Sequence, residues 1–401
     1  MKNFQIVSVL FFFTATLFLF GCSDDSSSPP EAGVTVYQAG YAVDGDQEVP
    51  VWWNGKDTPT RLPMLSFGSD CPPNGSVEAM TLAGEDIVMV GISSLCIGDQ
   101  FTMKPVFWHQ GIVTQLAFPY TEDVQGAAYD VAYYDESLYI VGATGSADPQ
   151  PILWIDGEPV ELPLEDDYEH GEATNILFTE DSIYISGYWW KGNPIDGTLT
   201  VIAGYWKHDI TDIYSYEWTT LMIPDEADRV QTPLPLALAG QDVWVGFTVY
   251  SSENMGLLKP AISENGGTPI PFIDFDFEND TSGQVMDLVS YESSILSVGA
   301  MSRPDQYDLD GPVLWTDTVA ENLSTIDDSL GLGKAYAINL LDTDIYVSGH
   351  TYMKDPDDDD ETTLIAVPAY WKNGNRHDRQ GLDGDSSDPS AFAQAIVVVK
   401  N

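Results

Sequence analysis

Residues 368–374 read PAYWKNG, and residues 50–55 read PVWWNG. Between them the same cadence returns, a proline three residues ahead of a tryptophan and then a polar turn. Pro50/Trp53, Pro105/Trp108, Pro151/Trp154, Pro312/Trp315 and Pro368/Trp371 keep both residues. Trp206 has Ala203 in place of the proline, and Pro260 has Ser263 in place of the tryptophan, which makes seven copies with two degenerate.

A second landmark precedes each copy, a short β-rich run ending in glycine. Its members are VYQAG (Gly40), IVMVG (Gly91), LYIVG (Gly142), IYISG (Gly187), VWVG (Gly246), ILSVG (Gly299) and IYVSG (Gly349), spaced 45 to 59 residues apart. Ahead of these runs lie small and apolar stretches: VEAMTLAG, AAYDVAYY, ATNILFT, LPLALAG, VMDLVSY and AYAINLL. Acidic or serine residues such as Glu85-Asp86, Glu136-Ser137 and Asp344 separate the two, which is the grammar of a β-hairpin. A unit of about 50 residues with three or four short strands and no helical period is one blade of a propeller.

The residue types suit that geometry. Blades pack face to face, so strands covered on both sides read as continuous apolar runs. Tryptophan supplies a large wedge between blades. Glycine at the end of the second strand allows a turn or a close approach, and proline as first residue of the third strand forfeits no ladder bond. The C-terminal AFAQAIVVVKN (391–401) matches an opening strand, whereas VTVYQAG (34–40) matches a second strand. The two half-repeats therefore predict an all-β, seven-bladed β-propeller over residues 35–401, closed by pairing of the last strand with the first blade.

AYAIN, IYVSG and AYWKNG within residues 335–374 resemble the HAF-type, or "YWKNG", propeller repeats of exported bacterial proteins, with kelch- or WD40-like architecture. The resemblance implies fold and compartment, with no activity common to these repeats.

Lys2, an apolar run from Phe4 to Phe20, and Leu19-Phe20-Gly21-Cys22 resemble the signal peptide and lipobox of bacterial lipoproteins. The resemblance implies cleavage after residue 21 and acylation (palmitate among the chains) of Cys22. The protein is then held at the cell envelope, on the periplasmic or surface face of the cell outer membrane. The polar, Ser- and Pro-rich stretch to residue 34 reads as a flexible tether spanning roughly 20 Å.

The formal net charge is −48, with 63 acidic residues against 15 basic ones. Such a surface repels phosphate backbones and anionic lipid, so nucleic acid is excluded as a partner. Cys71 and Cys96, within one repeat, are the expected disulfide of an exported chain. The protein is expected to be a monomer.

Catalytic signatures are missing: no repeated S-x-D-x-G-x-T-W box, G-x-S-x-G elbow or H-E-x-x-H pair occurs, and the five histidines do not cluster in sequence. Acidic connectors are the richest polar feature. Asp305, Asp308 and Asp310, with Asp355, Asp357, Asp359 and Glu361, alternate as carboxylates do around Ca²⁺, without the full EF-hand pattern. Tyr188, Trp189, Trp190 and Tyr352 lie in connections on the expected ligand face and are candidates to stack on a glycan or grip a peptide. The chain thus reads as a membrane-anchored binding module without catalytic residues. The alternatives are a glycoside hydrolase or polysaccharide lyase using carboxylates at the central channel, and a Ca²⁺-dependent structural or adhesive protein.

Overall fold

The computed structural model describes residues 33–401 except 46, 66–73, 98–99, 120–124, 146–147, 166–167, 193–199, 224–228, 252–256, 273–281, 304–305, 357, 359–362 and 383–389. Seven antiparallel sheets circle one axis, each running from an inner strand to a short outer one. Blade 1 draws on both ends of the chain: Ala391–Lys400 pairs antiparallel with Val34–Asp44, from Val34 opposite Lys400 to Ala42 opposite Ala391. The predicted closure is therefore present. Cys22 and the rest of residues 1–32 lie outside the described residues. Among the described residues no helix is long and apolar enough to cross a membrane.

The repeat glycines do not end the second strand, as the sequence suggests, but sit inside it; Gly91 falls within Asp86–Ile97. The reason is a β-bulge in the facing inner strand. Glu78, Tyr129, Thr174, Met286 and Tyr336 in blades 2, 3, 4, 6 and 7, and Gln394 in blade 1, are each the extra, unpaired residue. The bulge drives a backbone carbonyl into the partner strand. A Cβ on Gly142 would stand 2.0 Å from the Ala127 oxygen, and one on Gly349 2.1 Å from that of Lys334. Only a residue without a side chain fits there.

The prolines likewise lie within their strands, Pro105 inside Gln100–His109 and Pro368 inside Leu364–Lys372. The carbonyls of Pro50, Pro105, Pro151, Pro312 and Pro368 each accept an N–H from just beyond the outer strand. A proline's nitrogen faces the same way as its carbonyl, past the end of that short strand, so the missing N–H costs no ladder bond.

Each repeat tryptophan is buried, and those of blades 1 to 4 and 7 hydrogen-bond backward around the ring. The indole of Trp108 donates to Pro63 O (2.6 Å), Trp154 to Ala117 O (2.6 Å), Trp206 to Pro163 O (3.0 Å) and Trp371 to Ser324 O (2.8 Å), each acceptor just after the outer strand of the preceding blade. The core is accordingly a ring of inter-blade clusters; Trp154, for example, packs with Val90 and Leu116 of blade 2. The turn after the tryptophan carries its own clamp. Asp156, Asp317 and Asn373 have positive φ, and each side chain accepts an N–H (2.9 Å) from the start of the second strand, at Leu138, Ile295 and Ile345. Asn-Gly and Asp-Gly suit such two-residue hairpin turns.

Blade 5 departs from the repeat. Its inner strand is split into Arg229–Gln231 and Leu236–Ala239 around Thr232-Pro233-Leu234-Pro235. Two prolines remove two ladder donors, so a continuous strand with a bulge cannot form.

Candidate binding site at the channel mouth

The inner strands enclose an axial cavity of about 440 Å³. All six bulge residues line it, Glu78, Tyr129, Thr174, Met286, Tyr336 and Gln394, and Thr232 and Pro233 fill blade 5's sector. The bulge is what turns these side chains toward the axis, because it breaks the in-out alternation of an inner strand otherwise committed to packing between blades.

One step further along the inner strands, polar side chains stitch blade to blade. Asp130 accepts from Val131 N (2.8 Å), Ile176 N (2.9 Å) and Asn175 Nδ2 (2.7 Å). Asn175 Oδ1 accepts from Leu236 N (3.0 Å), and Asp287 accepts from Leu288 N (2.8 Å) and Ile338 N (2.9 Å). Burial raises both carboxyls, Asp130 and Asp287, to about 7 against the pull of these N–H bonds.

At the tier of the bulges, Glu172 lies beside the phenols of Tyr129 in blade 3 and Tyr188 in its own blade, whose pull opposes the effect of its burial. Glu78 is hydrogen-bonded by the Ser76 hydroxyl. Desolvation raises both glutamates and holds the phenols of Tyr41, Tyr129, Tyr188 and Tyr336 protonated. Tyr41 of blade 1 and Tyr336 of blade 7 lie close enough to feel each other's charge, and that of Tyr352 and Glu78. Behind them His350 is buried between Tyr336 (5.5 Å), Tyr352 (4.9 Å) and Phe392 (4.7 Å), and desolvation lowers it to about 3.

Of the residues singled out in the sequence, Tyr188 lies beside Glu172 and Tyr352 against His350, and neither is among the described residues that line the cavity. Trp190 stacks on Tyr188 (5.3 Å) and lies against His170. Trp189 is not exposed: at 0% accessibility it stacks on Trp218 (4.0 Å) and tilts against Trp206, as one of two consecutive strand residues must face inward. Asp310 is exposed near Lys334, whose amine donates to Gln284 Oε1 (2.6 Å) and is lowered to about 8 by burial. Asp355 is tied by its backbone to Thr363 (2.9 Å). Asp305, Asp357, Asp359, Glu361, Cys71 and the side chains of Asp308 and Cys96 lie outside the described residues. Among the described residues no group of three or more His, Cys, Asp or Glu side chains could hold a metal ion. His170 in blade 4 and His350 in blade 7 are not brought together.

Sequence reasoning did not single out Glu78, Tyr129, Glu172, Tyr336 or Gln394. A signal was present: V-E-A, A-Y-D, A-T-N, V-M-D, A-Y-A and A-Q-A each place one variable residue between a small or apolar residue and an Ala, Asp or Asn in the opening strand.

The molecule is thus a seven-bladed β-propeller with an axial cavity at one mouth. No known family's sequence model matches the chain, and no curated protein matches it in sequence. Its shape is similar to that of a puromycin-hydrolysing peptidase of Mycobacterium tuberculosis, at 11% identity and a TM-score of 0.41, covering 75% of this chain and 53% of that one. It is also similar to BamB from Moraxella catarrhalis, at 12% identity and a TM-score of 0.37 over 77% of this chain and 92% of that one. A subtype N11 neuraminidase-like protein of A/flat-faced bat/Peru/033/2010 matches at 11% identity and a TM-score of 0.39, over 68% and 78%. The chain spans about half the length of the peptidase. These likenesses concern the fold alone.

Proposed function

We propose that the protein is an exported, lipid-anchored binding module that takes its ligand at the mouth of the central channel. The observation that carries this reading is the axial cavity, where side chains from separate blades are turned inward by bulges. Its volume of about 440 Å³ falls in the range of small-molecule and side-chain pockets. The apolar run ending at Cys22 supports the anchor.

Binding fits the site better than glycoside hydrolysis. That reaction needs two carboxyls held in opposite protonation states. Here burial shifts Glu78 and Glu172 in the same direction.

Two experiments test the reading. A peptide and glycan array probed with the intact chain should return ligands whose capture is lost in Tyr129→Ala and Tyr336→Ala; capture indifferent to both variants removes the channel from the proposal. Labelled palmitate should enter the wild-type chain and not Cys22→Ala, which should leave the membrane fraction; a Cys22→Ala chain that stays membrane-bound removes the anchor.

A further inference from the structure

The cavity wall carries an excess of hydrogen-bond acceptors. None of the described residues lining it is Lys, Arg or His. Asp130 and Asp287 are already satisfied by backbone and amide N–H groups. At the mouth, Glu78 receives one hydroxyl and Glu172 lies beside two phenols, each carboxyl having about four acceptor sites. Gln394 Oε1 is buried there with no donor among the described residues. Lys334 is committed to Gln284 and lies over the Tyr336 ring, 5.3 Å from its centroid.

Building on the channel reading above, we propose that this mouth seats an alkyl ammonium, the primary amine of a lysine side chain or of a free polyamine. An ammonium supplies three N–H donors and no acceptor, the complement of the donor-poor wall. Its charge is stabilised by the carboxylates of Glu78 in blade 2 and Glu172 in blade 4. A guanidinium fits less well. Its fork needs both oxygens of one carboxylate, and one oxygen of Glu78 already accepts the Ser76 hydroxyl. An anion is repelled by the carboxyls and by a net charge of −48, whose field draws cations toward the molecule.

Calorimetry on the intact chain in detergent at low salt tests this. The probes are an end-blocked Gly-Lys-Gly peptide, its norleucine counterpart, spermidine and maltotriose. The lysine peptide or spermidine should bind, about tenfold or more tighter than the norleucine peptide. Glu172→Gln and Glu78→Gln, which keep side-chain volume, should each weaken binding about tenfold or more while melting as the wild type does. Either one carries the test should the other fail to fold. A tighter lysine peptide assigns the amine to a protein partner, and tighter spermidine assigns it to a free polyamine. Equal affinity for lysine and norleucine peptides, or indifference to both Gln variants, overturns the ammonium. Maltotriose binding that Tyr129→Ala abolishes, with no amine binding, overturns the ammonium and leaves the channel site standing. Binding that no channel variant alters overturns both.

Discussion

The indole N–H of Trp53, in the first blade, donates to the backbone carbonyl of Gln380, just past the outer strand of the seventh, at 3.0 Å. It is the bond that Trp108, Trp154, Trp206 and Trp371 make to the blades before them. The seam of the ring thus uses the same chemistry as four of its other joints, added to the pairing of Val34–Asp44 with Ala391–Lys400. Removing residues 391–401 should abolish cooperative thermal unfolding followed by circular dichroism, because blade 1 then loses its inner strand. Trp53→Ala should cost about 3–5 kcal/mol in denaturant melts, as for other buried aromatics.

The seam has a further lock. Arg379, buried, donates to Gln38 Oε1 (3.1 Å), Val36 O (3.3 Å) and Asp57 Oδ1 (2.9 Å). Gln38 in turn donates to Ser348 Oγ and Ala369 O, both at 2.9 Å. Arg379→Ala strands a buried amide and should cost about 3 kcal/mol or more. Asp57 is exposed, so Asp57→Ala should cost under about 1 kcal/mol. Equal costs would mean that the ion pair, and not the buried network, is what holds the seam.

Gly142→Ala should be far more damaging than Gly84→Ala. The first drives a methyl into the Ala127 carbonyl and should cost more than about 2 kcal/mol; the second has open space and only a φ of +66° to contend with, about 1–2 kcal/mol. Equilibrium urea melts of the two variants check the order.

Asp130 and Asp287 make stability depend on pH with a definite sign. Each is raised to about 7 in the fold, from an ordinary value near 4 when unfolded. Between these values the folded chain binds more protons than the unfolded one, so raising pH destabilises it. Their contribution is fully present below about pH 4 and lost as pH climbs through 7. The melting temperature should fall from pH 5 to pH 8, and less steeply in Asp130→Asn than in wild type. A slope unchanged by the substitution would show that the carboxyl stays ionised.

Much of the architecture is legible in the sequence because its marks are large or irreplaceable. Trp154 can fill only an inter-blade wedge, and Asp156-Gly157 reads as a turn without further context. The glycines announce their period but not their cause. A strand-ending glycine and one facing a bulge look alike until the carbonyl opposite Gly142 is located. The channel residues are hidden for the related reason that a bulge inverts the in-out alternation by which facing is read, so Glu78 and Tyr336 pass for ordinary strand residues. In YWWKG the tryptophans differ by one position, and that parity sends Trp189 into the core while Trp190 stays at the surface.

The split in blade 5 bears on how anything at the axis is seen. Six sectors offer a side chain from a bulge, and the seventh offers Thr232 and Pro233 on a stretch that belongs to no strand. With the chemistry differing from sector to sector as well, rotating a guest by one blade does not restore its surroundings. A structure assembled from near copies therefore confronts its guest as a wholly asymmetric object, able to distinguish one azimuth from every other.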